Sequence, residues 1–148
     1  MNDNSIDKYL FWSLNILIPL TSGALIYLYF RPETYLSTFL SKLFGVHFEK
    51  TNISGSVIRY FLCYYLSDIL WAYSLTFVLS LLIGYSKTAL IITGATAFLF
   101  EIGVELLQKF EIIKGTFDIY DFLTESIATI SALIFISLYF QQRKDHIS

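Results

Sequence analysis

The chain has 148 residues and a net charge of −2; it is 55% hydrophobic, 18% aromatic and only 15% charged, where an ordinary soluble domain is roughly one-quarter charged. That balance excludes a disordered chain and a basic nucleic-acid binder, and a single cysteine excludes a disulfide scaffold. So short a chain, with a mean hydropathy of +0.61, lacks the polar residues to cover a soluble globule. It reads as one all-α integral membrane domain over residues 1–148, with the lipid bilayer as its first partner.

Four stretches are long and apolar enough to cross a bilayer core of roughly 30 Å, and helix is the conformation that satisfies their backbone in lipid. The first, residues 10–30, carries no charge. It exceeds the ~7–15-residue core of a cleavable leader and reads as a retained anchor. Arg31-Pro32 ends it. In the long first loop Leu36, Phe39, Leu40, Leu43 and Phe44 recur at helical spacing. They predict an interfacial amphipathic helix over 33–45, stopped by Gly45.

The second span, 61–83, has one charge, Asp68, and holds Cys63, which reads as a buried, unreactive thiol. A tight turn, Gly84-Tyr85-Ser86-Lys87, leads into the third span, 88–107, with Glu101 and Glu105. The fourth, 122–140, contains Glu125 and runs into Gln141-Gln142-Arg143-Lys144. None of these runs alternates in period two as barrel strands would. Tyr27, Tyr29, Tyr60, Tyr64, Tyr65, Tyr85 and Tyr139 suit aromatic belts near the span ends. Gly94, Ala95 and Ala97, with Ser126, Ala128, Ser131 and Ala132, predict helix-packing faces. His47 and His146 read as surface residues. Arg143 and Lys144, directly after the last span, favour a cytoplasmic C-terminus in the inner membrane of a bacterium.

The acids carry the functional argument. An ionisable residue at mid-bilayer costs at least ~2.5–3.5 kcal/mol, so it is a functional candidate by default. Four spans place the first and third loops on one face of the membrane. Asp68, seven residues into its span, Glu101, Glu105, Asp118, Asp121 and Glu125 then all lie toward that face. Glu101, Glu105 and Gln108 share one side of the third helix. Asp118, Asp121 and Glu125 share one side of the fourth if it starts near Phe117. Two acidic stripes on antiparallel neighbours predict a polar pocket, compensated by protons, by Arg59, Lys109 and Lys114, or by a bound cation. Glu101, Glu105, Asp118 and Asp121 offer the hard oxygen donors that Mg²⁺ or Ca²⁺ takes. The opposing reading is structural: Asp121 and Glu125 favour a helix N-terminus electrostatically. Asp68-Ile69-Leu70 and Asp121-Phe122-Leu123 also echo one another, hinting at a duplicated two-helix unit. No nucleophile triad, phosphate loop, dinucleotide fingerprint or zinc-protease helix occurs, so an enzyme is not the expected reading.

Glu101-xxx-Glu105-xx-Gln108, followed by Gly115-Thr116-Phe117-Asp118-xx-Asp121, resembles the C-terminal signature of VanZ-like membrane proteins. Ser67-Asp68-Ile69-Leu70-Trp71-Ala72-Tyr73 is similar to the Asp-x-x-Trp-Ala-Tyr segment of small bacterial members. Together the matches cover about residues 60–135. Glu125 stands where many members have Asn, Ala128 where they have Gly and Lys114 where they have Arg. The resemblance implies a cell-envelope protein. The founding member is linked to teicoplanin resistance, and some short relatives are described as magnesium–citrate secondary transporters. Three functions follow as expectations: an envelope protein whose acidic pocket binds a cation or a cationic or polar headgroup, a small transporter acting as a homo-oligomer, or a membrane scaffold docking through its flat helix.

Overall fold

The computed structural model describes residues 3–30, 35–45, 61–62, 64–113 and 117–145. Arg59, Lys114, Cys63, His47 and His146 lie outside them. The described chain is all-α: α1 is Asp3–Phe30, α2 Tyr35–Phe44, α3 Leu66–Ile83, α4 Lys87–Lys109 and α5 Ile119–Asp145. All but α2 contain a stretch able to cross a membrane, at Asp7–Tyr29, Leu66–Ile83, Lys87–Lys109 and Ile119–Gln142. This is the expected architecture of four spans and an amphipathic helix in the first loop.

The element ends follow local chemistry. Gly45, at φ +67°, donates its N–H to the Ser41 carbonyl at 2.9 Å and closes α2, because glycine enters the left-handed region without a Cβ penalty. Gly84, at φ +116°, does the same for α3, bonding to the Ser80 carbonyl at 2.9 Å. Two residues on, the Ser86 hydroxyl accepts the Ala89 N–H at 3.2 Å and caps α4. That economy makes the second connection tight. The end of α4 uses Glu111 where a glycine is usual. The Ile112 N–H reaches the Leu107 carbonyl at 2.9 Å and the Glu111 N–H reaches the Gln108 carbonyl at 2.9 Å. This is a paired C-terminal cap with Glu111 at φ 58°.

Two expectations shift. Regular helix in α3 begins at Leu66, after a turn at Tyr65. Asp68 is therefore in the first turn rather than seven residues deep. Asp121 occupies the matching first-turn place in α5, so the echo between Asp68 and Asp121 is one of helix position as well as of letters. Among the predicted packing residues Gly94, Ala97, Ala128 and Ala132 are buried, whereas Ala95 and Ser131 face outward.

Helix α3 is the hub: it packs against α1, α4 and α5, and α4 and α5 pack against one another. Its role follows from its face of small and hydroxyl residues, with Ser67, Ala72, Ser74, Thr76, Phe77 and Ser80 buried. Such side chains let membrane helices approach closely. Gly23 of α1 shows the consequence, since a Cβ there would meet Trp71 Cδ1 at 3.1 Å and the Ser67 carbonyl at 3.3 Å.

The two ends of the bundle differ in chemistry. At the second-loop end Trp12, Phe77, Ala132 and Ile136 form a buried core. Phe11 stacks on Tyr139 at 3.6 Å between ring centroids, and Tyr85 stacks on Phe140 at 3.8 Å. These rings join α1, α3 and α5 by edge and face contacts. The opposite end carries the acids. Helix α2 turns Phe39, Leu43 and Phe44 outward.

A left-handed conformation costs a non-glycine residue roughly 1–2 kcal/mol. Glu111→Gly is therefore expected to stabilise the end of α4 by about 1 kcal/mol, read as a higher unfolding midpoint in mixed micelles.

Candidate functional site

The site is built by one stripe of α4. Ala89, Thr93, Ala97, Glu101 and Glu105 recur every four residues and are all buried, which puts them on a single face. The face meets α3 and α5. Two of its five members are carboxylates, 3% and 6% exposed; this is the acidic stripe that the spacing of Glu101 and Glu105 predicted.

Each carboxylate has its own anchor. Glu101 Oε1 accepts the Thr129 hydroxyl at 2.6 Å. Thr129 in turn receives the Thr76 hydroxyl at 3.2 Å, a donor that Thr76 shares with the Ala72 carbonyl at 2.8 Å. A string of hydroxyls thus ties α3 to α5 and ends on a carboxylate of α4. Glu101 Oε2 and the nearby Ser126 Oγ are buried and have no hydrogen-bond partner among the described residues. Glu105 Oε2 accepts the Asp118 N–H at 3.1 Å, so it holds the chain at the entry to α5. Asp118 uses Oδ1 to accept the Tyr120 N–H at 2.9 Å and Oδ2 to accept the Tyr65 hydroxyl at 3.5 Å. It caps α5 instead of lying on its first helical turn, because the helix starts at Ile119 rather than near Phe117. Capping at this helix start falls to Asp118, where the sequence pointed to Asp121 and Glu125.

The remaining acids surround these anchors. Glu125, partly buried, lies within electrostatic range of Asp68, Glu101, Glu105 and Asp121, and Glu105 within range of Asp68 and Asp118. Asp68 Oδ1 accepts the Ser67 hydroxyl at 3.2 Å. The six acids singled out from the sequence are therefore gathered at one end of the α3–α4–α5 seam. Gln108 is on the same helix as Glu101 and Glu105, with its Oε1 buried and unpartnered among the described residues. Lys109 points its ammonium at the Phe117 ring, 5.3 Å from the centroid, a cation–π contact at the mouth of the site. Among the described residues no group of three acidic, histidine or cysteine side chains is arranged to hold a metal ion. The anchors explain this: Glu101, Glu105 and Asp118 aim their oxygens at three different donors.

Thr76, Ser126 and Thr129 were not singled out from the sequence. The signal that reaches them is the same four-residue spacing: Ala72, Thr76 and Ser80 on α3, Glu125 and Thr129 on α5. A second recess, of about 700 Å³, opens between α1, α3 and α5. It is lined mainly by apolar side chains, with Asn15, Tyr73 and Ser131 among the polar ones, and no α4 residue borders it. The Tyr73 hydroxyl donates to Asn15 Oδ1 at 2.8 Å across its floor.

Compared with protein-family models, curated proteins and solved structures, the chain matches none. The likeness to VanZ-like proteins stands on the motifs quoted above.

Removing one partner of a buried hydrogen bond costs roughly 1–3 kcal/mol. Glu105→Ala is expected to release the Asp118 N–H and speed amide exchange over 118–121 by about tenfold. Glu105→Gln, which keeps an acceptor, leaves it within about twofold.

Proposed function

We propose that the protein is a small VanZ-like membrane protein of the bacterial cell envelope, whose acidic end binds a cation or a cationic or polar headgroup. The observation that carries this reading is the position of Glu101, Glu105 and Glu125. They are wholly or partly buried in bilayer-crossing helices, gathered within reach of Asp68 and Asp121, and none forms an ion pair with a described lysine or arginine. Several carboxylates sharing a low-dielectric site favour a positively charged partner. Glu125 and Asp68 are the first ligands of choice, because Glu105 and Asp118 are engaged in holding the start of α5. Mg²⁺ or Ca²⁺ suits such all-oxygen donors, completing its shell with water.

In this reading the pocket faces the side opposite a cytoplasmic C-terminus, where it meets the envelope. Glycopeptide tolerance of the teicoplanin type is the phenotype to examine. The motifs Glu101-xxx-Glu105-xx-Gln108 and Asp118-xx-Asp121 support this.

The test is calorimetric titration of the purified protein in lipid nanodiscs with Mg²⁺, Ca²⁺ and Mn²⁺, beside Glu125→Gln. The expected result is saturable binding of at least one ion, weakened tenfold or more in the variant, which is about 1.4 kcal/mol. Absence of binding by all three, or equal binding by the variant, refutes a cation at this site.

A further inference from the structure

Ser80 of α3 and Thr93 of α4 are wholly buried, yet neither hydroxyl has a hydrogen-bond partner among the described residues. This is unlike the other hydroxyls of the spans. Thr21, Thr96 and Ser131, all on the outer surface, donate to the carbonyl four residues back at 2.6, 2.9 and 2.7 Å. A hydroxyl facing lipid has only that carbonyl to turn to. Ser80 and Thr93 face inward and do not use it. Leaving a hydroxyl unsatisfied in an apolar interior costs on the order of 1–3 kcal/mol by mutational measures.

Their places in the fold form a sequence. The hydrogen-bonded string runs from Glu101 through Thr129 to Thr76. Ser80 is one helical turn beyond Thr76 on the same helix face. Thr93 is two turns from Glu101 along the buried α4 stripe, about 12 Å at 1.5 Å per residue. Four residues, about 6 Å, separate Ser80 from Gly84 at the second-loop face. Between them the seam presents Ala72, Ala89, Ala97 and Ala132 rather than large side chains. At the acidic end the series finishes on two more unpartnered buried oxygens, Glu101 Oε2 and Ser126 Oγ.

We propose that the α3–α4–α5 seam carries a file of water molecules bridging Ser80, Thr93, Thr76 and Thr129, giving the acidic end hydrated access from the second-loop face as well as from its own. Water completes the two to four hydrogen bonds it needs from just such grouped polar atoms. The seam is then a conduit that opens the site to both sides of the membrane, the requirement for a carrier rather than a one-sided receptor. The proposal is independent of what the acidic end binds.

Substituted cysteines test it, because a thiol forms its reactive thiolate only where water reaches it. Ser80→Cys and Thr93→Cys are made in a Cys63→Ser background, reconstituted in liposomes and treated with Ag⁺. Ile91→Cys, on the outer, lipid-facing side of α4, is the control. The expected result is modification of both seam cysteines at least tenfold faster than the control. Rates equal to the control overturn the proposal. Should either variant fail to fold, radiolytic hydroxyl labelling of the unaltered protein decides: internal water oxidises Leu133, which closes on Gly94 within the seam, above the level at lipid-facing Leu99, and no excess at Leu133 overturns it.

Discussion

Everything at the functional end of this bundle depends on one constraint: carboxylates buried between bilayer-crossing helices must each be met by a donor. Glu101 takes the Thr129 hydroxyl and Glu105 takes the Asp118 N–H. These two bonds fix the register of α4 against α5 and set where α5 begins. They also bring α3 in, because Thr129 is itself held by Thr76. The polar contacts are few, but in a bilayer no water competes for them. Their geometry therefore decides which faces of three helices come together.

The aromatic end does the complementary work. Phe11, Trp12, Phe77, Tyr85, Tyr139 and Phe140 knit α1, α3 and α5 through ring contacts, and the acids have no part in that packing. Stability and chemistry are thus divided between the two ends of the same helices. A rigid aromatic clamp at one end leaves the acidic end free to keep polar groups that are poor for packing. Helix α3 links the two, with Phe77 in the aromatic core and Thr76 in the hydroxyl string on adjacent residues.

Much of this was legible in the sequence. The spans showed as apolar runs of the right length. The amphipathic helix showed in Leu36, Phe39, Leu40, Leu43 and Phe44, and its stop in Gly45. The spacing of Glu101 and Glu105 placed both on one face, and the parity of four spans brought Asp68 to the same end. The hydroxyls were not legible, because Thr76 and Thr129 look like tolerated polar residues in an apolar run until a partner is known to face them. The role of Asp118 turned on a shift of two residues in where α5 starts, which no hydropathy pattern fixes. Lys109 looked like a counter-ion for the acids, but its long, flexible side chain lies over Phe117 instead.

The central claim is that Glu101 and Glu125 belong to one cation-responsive site while the exposed Glu111 does not. Nuclear magnetic resonance of protein labelled with ¹³C at the glutamate carboxyl carbons, held in nanodiscs and titrated with Mg²⁺, tests it most directly. The account predicts that the Glu101 and Glu125 signals move together and saturate while that of Glu111 stays in place. Unmoved signals at Glu101 and Glu125, or equal movement of every glutamate, would contradict it.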